Sequence, residues 1–496
     1  MLKTTSIKVR DKKIKSLLSD HIFAYRHFEN MYIILLKMNR DDFNLLSDYG
    51  VMRAVLRDNE GGKKSEEVKL IQDKFQYDEL FKQLKEHSKD LKIHNLVMIM
   101  RRVKGDYKRF FTNLKAKVKS SPPSAKKLAL LSNYSIPIDV NAWSLRKKNQ
   151  VGLNLGQKMF YTHIYFDRLK NIVGEIDNIQ SIVVKYSNKE IYLQIAYKPL
   201  ESKIKTRKTK KAAGLDIGIN NLATLFVDDK TTQSLIVDGS QYKHYNSKFN
   251  RFNAKLNKSI ADNVLEFKDV TRNDKTTKYA SKWNNRGKQL KSYKTYLIEK
   301  RNQYFKNEFH KVSKRLSEYC LINNVTDLYI SRNLTFAKSD KKGTKLGKST
   351  QNFIQIPFGR MLDYLQYKLE ELGVRVHEVD EAYTSKTSCI NADVKRVQKK
   401  QQANKAVSTN DFNASRVKRG LLKDNISNVV FNADLNGAVN HIKVATNKKF
   451  KWLINYMDKL NNPVKIKSDY EFNNLLLNSV SNKAILSELR LQRCIL

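Results

Sequence analysis

Three acids have the residue type and the setting to do chemistry together: Asp216 in "GLDIG", Glu381 in "DEAYTSKTSC" and Asp434 in "NADLNGA". Asp216 interrupts an apolar strand pattern, where a buried charge costs several kcal/mol unless it is paired or bound to metal. An isolated GxDxG serves equally well as a strand-end turn. Glu381 closes the strand that starts at Val374, and Glu378 and Asp380 compete with it. Strand alternation sets those two on one face and Glu381 on the other, so periodicity does not choose. Asp434 opens an amphipathic helix with an apolar stripe of Leu435, Ala438, Val439, Ile442 and Ala445, and taken alone it reads as a helix cap. The separations, 381 − 216 = 165 and 434 − 381 = 53 residues, mean that only a fold can unite the three. Cleavage of a phosphodiester with two divalent ions is the chemistry that needs converging carboxylates, because two hard cations about 4 Å apart must be held and neutralised.

The surrounding pattern predicts a multidomain α+β chain. From Asp20 to about Leu131 apolar residues recur at three- and four-residue steps, a helical region ended by "SSPPS" at Ser120–Ser124. From Ile136 to Pro199 the period shortens, and "IQSIVVKYSNKEIYLQIAYK" reads as a hairpin about "SNKE". "KIKTRKTKKAA", Lys203–Ala213, is a basic linker, equally a nuclear signal, a phosphate-binding strap or a solvated connection. Beyond it "AAGLDIG", "LATLFVDD" and "QSLIVDG" read as three strands, followed by helix from about Ser247 to Ile322. Then come a strand "DLYIS", a helix from Pro357 to Leu372 closed by Gly373, a strand "VRVHEVDEAY", a basic insertion and a last helix at "NADLNGA". That order outlines a ribonuclease-H-like α/β domain.

Composition restricts the partner. The 496 residues carry 94 Lys and Arg against 49 Asp and Glu, a net +45 spread along the whole chain, which implies a polyanion. Apolar runs such as "YIILL" fall far short of the ~20 residues of a membrane span, so nucleic acid is favoured over lipid. The N-terminus has no apolar signal core, and Cys320, Cys389 and Cys494 are too scattered for a disulfide framework, which places the chain in a reducing compartment. With 41% apolar residues, 6 Pro and 17 Gly, the sequence is that of an ordered protein.

Six ordered motifs give the sequence a family resemblance: "GLDIGINNLAT", "FHKVSKRL", "IPFGRMLDYLQYKLEELGVRV", "EAYTSKTSC", "RVKRGLL" and "NADLNGAVNHI". Over residues 212–446 the chain resembles the transposon-encoded TnpB nucleases. The resemblance implies an RNA-guided RuvC-type endonuclease that cuts double-stranded DNA next to a short motif, with a guide RNA encoded beside its gene. Asp216, Glu381 and Asp434 would bind two Mg2+ ions, Asp216 bridging. It also implies an architecture: a wedge β module over residues 1–19 and 132–202, a helical recognition lobe at 20–131, the linker 203–213, the nuclease domain at 214–446 with an insertion at 384–431, and a tail at 447–496. Many TnpB proteins carry the second acid in an earlier strand resembling "VVEDLN", but here "LYISRNLTF" puts Arg332 and Asn333 at that place. A branch with the glutamate just before "YTS", which Fanzor proteins resemble, matches "EAYTS" and Glu381. Relatives bind zinc in the insertion through two CxxC pairs, whereas Thr384–Asn432 offers Cys389 alone and no His, so no zinc is expected.

For nucleic-acid contacts the candidates are Arg101, Arg102, Lys104, Lys108 and Arg109, interleaved with Tyr107 in "MRRVKGDYKRFF", where Phe110 and Phe111 read as helix core. His310 and Lys311 lie beside a core stripe of Phe305, Phe309, Val312, Leu316 and Cys320, and Arg416, Lys418 and Arg419 lie in "RVKRGLL". "VKRVQKKQQANK" could grip a backbone or be a solvated loop, and "SLRKKNQ" is a basic turn. No membrane partner is expected. The nucleus is the expected site for a eukaryotic or viral protein, the cytoplasm and nucleoid for a bacterial one. Two rival functions are a guided DNA-binding protein without cleavage and an unguided ribonuclease-H-like resolvase or transposase.

Overall fold

The computed structural model describes residues 3–59, 64–118, 120–126, 134–146, 150–156, 159–163, 179–187, 190–198, 211–272, 275–331, 355–478 and 482–487. Most of the basic linker, the Arg332 and Asn333 positions, the centre of "SLRKKNQ" and Cys494 lie outside them. The chain divides into two compact units that meet in sequence at Glu201 and Ser202.

The first unit opens with strand β1 (Lys3–Lys8) and helix α1 (Lys12–Met38). The helix starts eight residues before the expected Asp20, because the Asp11 side chain caps it, accepting the Ile14 N–H at 3.1 Å. Lys12, Lys13, Lys15 and Ser16 mask the helical period at the sequence level. Short helices α2 (Phe43–Leu46) and α3 (Tyr49–Val55) lead to α4 (Ser65–Phe75), α5 (Glu79–Ser88) and α6 (Ile93–Lys115). Strands β2 (Tyr134–Ile138), β3 (Trp143–Arg146), β4 (Gln150–Asn154), β5 (Met159–His163), β6 (Ile179–Ser187) and β7 (Glu190–Tyr197) follow. They form an antiparallel sheet ordered β1-β7-β6-β2 and a separate sheet ordered β3-β4-β5. The β6–β7 hairpin is the one predicted from "SNKE".

Helix α6 corrects the reading of "MRRVKGDYKRFF". Leu96, Ile99, Met100, Val103 and Tyr107 share the buried face, at the three- and four-residue steps of an amphipathic helix, so Tyr107 packs on Phe43 as core and offers no stacking surface. Arg102 is also committed: it reaches Glu29 at 3.0 Å and the Ser135 carbonyl at 2.8 Å, and lies over the Tyr134 ring. Phe111, expected inside, is 42% exposed. Arg101, Lys108 and Arg109 stand on the exposed face, with Arg101 over the Tyr49 ring at 4.4 Å; Lys104 is part-buried, 6.0 Å from the same ring.

The second unit is built on strands β8 (Lys211–Asp216), β9 (Asn221–Val227) and β10 (Leu235–Asp238), the three strands predicted, which pair antiparallel. Helix α7 (Ser240–Ala261) follows, then a hairpin, β11 (Val264–Arg272) and β12 (Lys275–Trp283), within the stretch read as all helix. Helix α8 (Asn285–Ile322) leads to β13 (Val325–Ile330), α9 (Phe358–Glu371) and β14 (Arg375–Glu378). Strands β13 and β14 run parallel to β8, giving the order β14-β13-β8-β9-β10, the ribonuclease-H-like arrangement. The insertion folds as helix α10 (Val394–Gln402) and a small sheet of β15 (Ala414–Lys418), β16 (Leu421–Asp424) and β17 (Val430–Asn432). Helix α11 (Ala433–Thr446) covers one sheet face; α8 and α9 cover the other. The tail, whose role the sequence left open, supplies α12 (Asp458–Asn461), edge strand β18 (Val464–Ile466) beside β10, and α13 (Asp469–Leu476), with Ile466, Phe472 and Leu476 buried in the α8 side of the core. Among the described residues no helix is long and apolar enough to cross a membrane.

Candidate active site

Alternation along β8 sends Ala213 and Leu215 into the core under α8, and Ala212, Gly214 and Asp216 toward α11. At Gly214 the helix comes so close that a Cβ would stand 1.8 Å from the Ala438 carbonyl oxygen, so only glycine fits. At the residue just before Ala438, a Cβ on Gly437 would stand 3.0 Å from Asp216 Oδ2. Two glycines thus let the helix backbone lie on the strand that ends in Asp216.

Asp434 is not the cap of α11. Asn432 is, its side chain accepting the N–H groups of Asp434 at 2.9 Å and Leu435 at 3.1 Å. The Asp434 carboxylate is thereby released for other work, and it accepts from the Asn221 side-chain amide at 2.5 Å.

Glu381 lies beyond β14, which ends at Glu378, so the strand predicted to run through it stops three residues earlier. Instead it sits in a turn held from both sides: Gln398 of α10 donates to the carbonyls of Asp380 and Ala382, both at 2.9 Å. Ser331, just past β13, donates to Glu381 Oε2 at 3.0 Å. Glu378 and Asp380 are exposed, and Asp380 accepts the Ala382 N–H at 2.9 Å, while Glu381 is part-buried.

Asp216 is the electrostatic centre. Burial pushes its carboxyl well above the ordinary carboxylate range, and the charges of Asp434 and then Glu381 push it further. Burial also raises Glu381, against the Ser331 hydrogen bond. Among the described residues no three acid, imidazole or thiol groups stand close enough to hold one ion between them. Asp216 is nonetheless coupled electrostatically to both other acids.

The loop after Glu381 is gripped by a polar stripe on α11 that the sequence reading missed. Asn436 and Asn440 each donate to the carbonyls of Thr384 and Thr387, at 2.7–3.0 Å, and Lys443 donates to those of Cys389 and Ala392. The signal was present: polar residues at i, i+4 and i+7 of an otherwise apolar helix. Cys389 is fully buried and its thiol is pushed up to about 12 by burial, as suits an inert side chain. Beside it the buried Asp424 accepts from Ser388, Asn391 and the backbone and side chain of Ser427, tying the insertion together with hydrogen bonds.

The remaining basic candidates are scattered. His310 stacks on Tyr364 with ring centroids 3.8 Å apart, and burial, with Lys368 and Lys306, lowers its pKa to about 4. Its ring face is thus taken up by Tyr364 rather than offered to a nucleic acid. Lys311 pairs with Glu308 at 2.8 Å. Arg416, Lys418 and Arg419 are exposed along β15 and its turn.

Fold and acids together define a RuvC-like α/β unit of the kind found in nucleases. Residues 181–336 match the family model OrfB_IS605, described as a probable transposase, and residues 358–441 match the Cas12f1-like TNB domain. Each match is to one region of the chain and not to its whole length. Among solved structures it is similar to the mini-RNA-guided endonuclease CRISPR-Cas_phi3, at 11% identity and TM-score 0.47 over 90% of this chain and 92% of that one. It is also similar to Cas12f1 in an sgRNA–target DNA complex, at 14% identity and TM-score 0.30 over 90% of this chain and 100% of that one. No curated protein matches.

Proposed function

We propose that the chain is an RNA-guided, Mg2+-dependent endonuclease that cuts double-stranded DNA beside a short target-adjacent motif, with Asp216, Glu381 and Asp434 as its metal-binding acids. The observation that carries this reading is the Asp216 carboxyl, raised by burial and by two further acids at the end of the central strand. A divalent cation relieves such crowding, and nothing in core packing calls for it.

Asp216 would be shared between two Mg2+ ions, with Glu381 and Asp434 completing the set. When bound, the ions supply Lewis-acid activation of the attacking water and neutralise charge on the leaving oxygen. This chain's own residues do the positioning: Ser331 and Gln398 fix the Glu381 segment, Asn221 orients Asp434, and Gly437 leaves room for Asp216. The glutamate just before "YTS" supports the rearranged branch of the family that Fanzor proteins resemble. Under this reading a guide RNA is a stable partner, the TNB-type segment works without zinc, and the basic Lys203–Lys211 stretch serves nuclear entry if the host is a eukaryote.

The test is cleavage of a guide-matched duplex by protein purified with its bound RNA, with and without Mg2+. Wild type should cut, and Glu381→Ala should lose at least about 100-fold in rate while RNA and target binding persist. Undiminished cutting by Glu381→Ala moves the ligand to Glu378 or Asp380. Matched binding without cutting by wild type makes the chain a guided binder, and absence of copurifying RNA makes it an unguided resolvase or transposase.

A further inference from the structure

Helix α7 leaves the sheet directly after β10, at the end that carries Asp216, and runs antiparallel to α8. Tyr242 packs on Phe309 at 5.9 Å between ring centroids and, farther out, Phe252 meets Tyr293 at 6.4 Å. The other end of α8 returns into β13, whose Val325 pairs with Lys211 at the opposite sheet end. The outer parts of α7 and α8, tipped by the β11–β12 ribbon, therefore rise beyond the acidic end by roughly 30 Å, the length of about 20 helical residues. This arm does not belong to the core: between residues 247 and 300, Leu256 and Gly287 are the buried residues among those described.

Its surface has two features that a solvated arm does not need. Ser247–Lys300 carries 14 Lys and Arg against 5 Asp and Glu. Phe252, Tyr293 and Tyr296 form a continuous strip of rings, each 46–48% exposed, with Lys300 5.1 Å from the Tyr296 centroid. The ribbon adds Phe267 and Tyr279, 61% and 52% exposed and on opposite faces. A lone two-stranded ribbon is marginal in water, and apolar rings on it call for a partner.

We propose that this arm holds single-stranded DNA on its way to the acidic end, stacking bases on the Phe252–Tyr293–Tyr296 strip while the surrounding lysines and arginines track the phosphates. Positive charge alone suits any polyanion, but exposed rings offer energy only to unstacked bases, which selects a single strand over a duplex. The choice of DNA rests on the endonuclease reading above.

The test uses the full-length chain, freed of nucleic acid in high salt and kept in EDTA, with oligodeoxythymidylate containing 5-iododeoxyuridine. Ultraviolet crosslinks located by mass spectrometry should fall in peptides holding Phe252, Tyr293 or Tyr296. The double variant Tyr293→Ala/Tyr296→Ala should lose them and bind the oligonucleotide about tenfold or more weakly. Its melting temperature should stay unchanged, because the rings are exposed. Crosslinks confined to other segments, an equal loss of affinity for a duplex of the same length, or tighter binding of oligouridylate that the same variant abolishes would each overturn the proposal. Asp216→Ala should keep the crosslinks, so failure of the nuclease reading and failure of the arm are read separately.

Discussion

One methyl group is the smallest probe of the acidic end. Gly437→Ala places a carbon 3.0 Å from Asp216 Oδ2, a clash that a swing of the carboxylate relieves. Melting should therefore change little while Mg2+-dependent cleavage falls at least about tenfold. Gly214→Ala meets the rigid Ala438 carbonyl and should instead destabilise the unit by about 1–3 kcal/mol or more. His441 gives a prediction in pH. Its Nδ1 donates to the Leu215 carbonyl at 2.9 Å, its buried Nε2 meets no partner among the described residues, and burial lowers its pKa to about 4. The folded state thus binds fewer protons than the unfolded one between pH 6.5 and about 4, so stability is full above that window and is lost as pH falls through it. Urea unfolding at pH 7.5 and pH 5 should show the loss, on the order of 3 kcal/mol if the window is fully traversed, and His441→Gln should flatten it. The burial of Asp216 was legible in the sequence because it interrupts an apolar strand. The part-burial of Glu381 beside exposed Glu378 and Asp380 was not, since alternation was being applied beyond the point where the strand stops.

At the scale of elements, α10 changes its meaning. The charge run "VKRVQKKQQANK" reads as a nucleic-acid grip or a loop, yet Val394, Val397 and Gln398 are buried, and Gln398 clasps the backbone on both sides of Glu381. Gln398→Ala should cut the cleavage rate about tenfold or more and raise the Mg2+ concentration needed for half-maximal rate, with guide RNA binding unchanged, as measured on the purified ribonucleoprotein. The strands β8 to β10 were readable because both of their faces are buried, which makes them short, nearly continuous apolar runs, and the stripe of α8 because its one buried face imprints the helical period on the sequence. The β11–β12 hairpin was hidden for the converse reason: with both faces exposed, "VLEFKDVTR" and "KTTKYASKW" show no clean alternation, and only the β-branched and aromatic content marked them. The small sheet β15–β17 escaped notice because its three strands are held largely by Asp424 and neighbouring polar groups, which follow no hydrophobic rhythm.

Across the whole molecule, the largest gap in the sequence reading is the tail. Residues 447–476 seemed an appendage to a nuclease domain ending at 446, but β18 closes the β10 edge and α13 is pinned by Arg315 to Asp469 at 2.8 Å. Short elements joined by polar loops carry too little pattern to announce that they complete someone else's sheet. Deleting Val464–Leu476 removes three buried apolar side chains, Ile466, Phe472 and Leu476, from the core and should cost about 5 kcal/mol, seen as a large fall in melting temperature. The central strand has a consequence in time. β8 pairs with β13 more than a hundred residues downstream and is covered by α11 about a hundred residues farther on. Loops of that size close slowly, whereas helices such as α1 and α8 form locally and early. The elements that carry Asp216, Glu381 and Asp434 therefore come together only in the late stages of folding, and under the proposed function a half-folded chain has no assembled acidic end with which to cut.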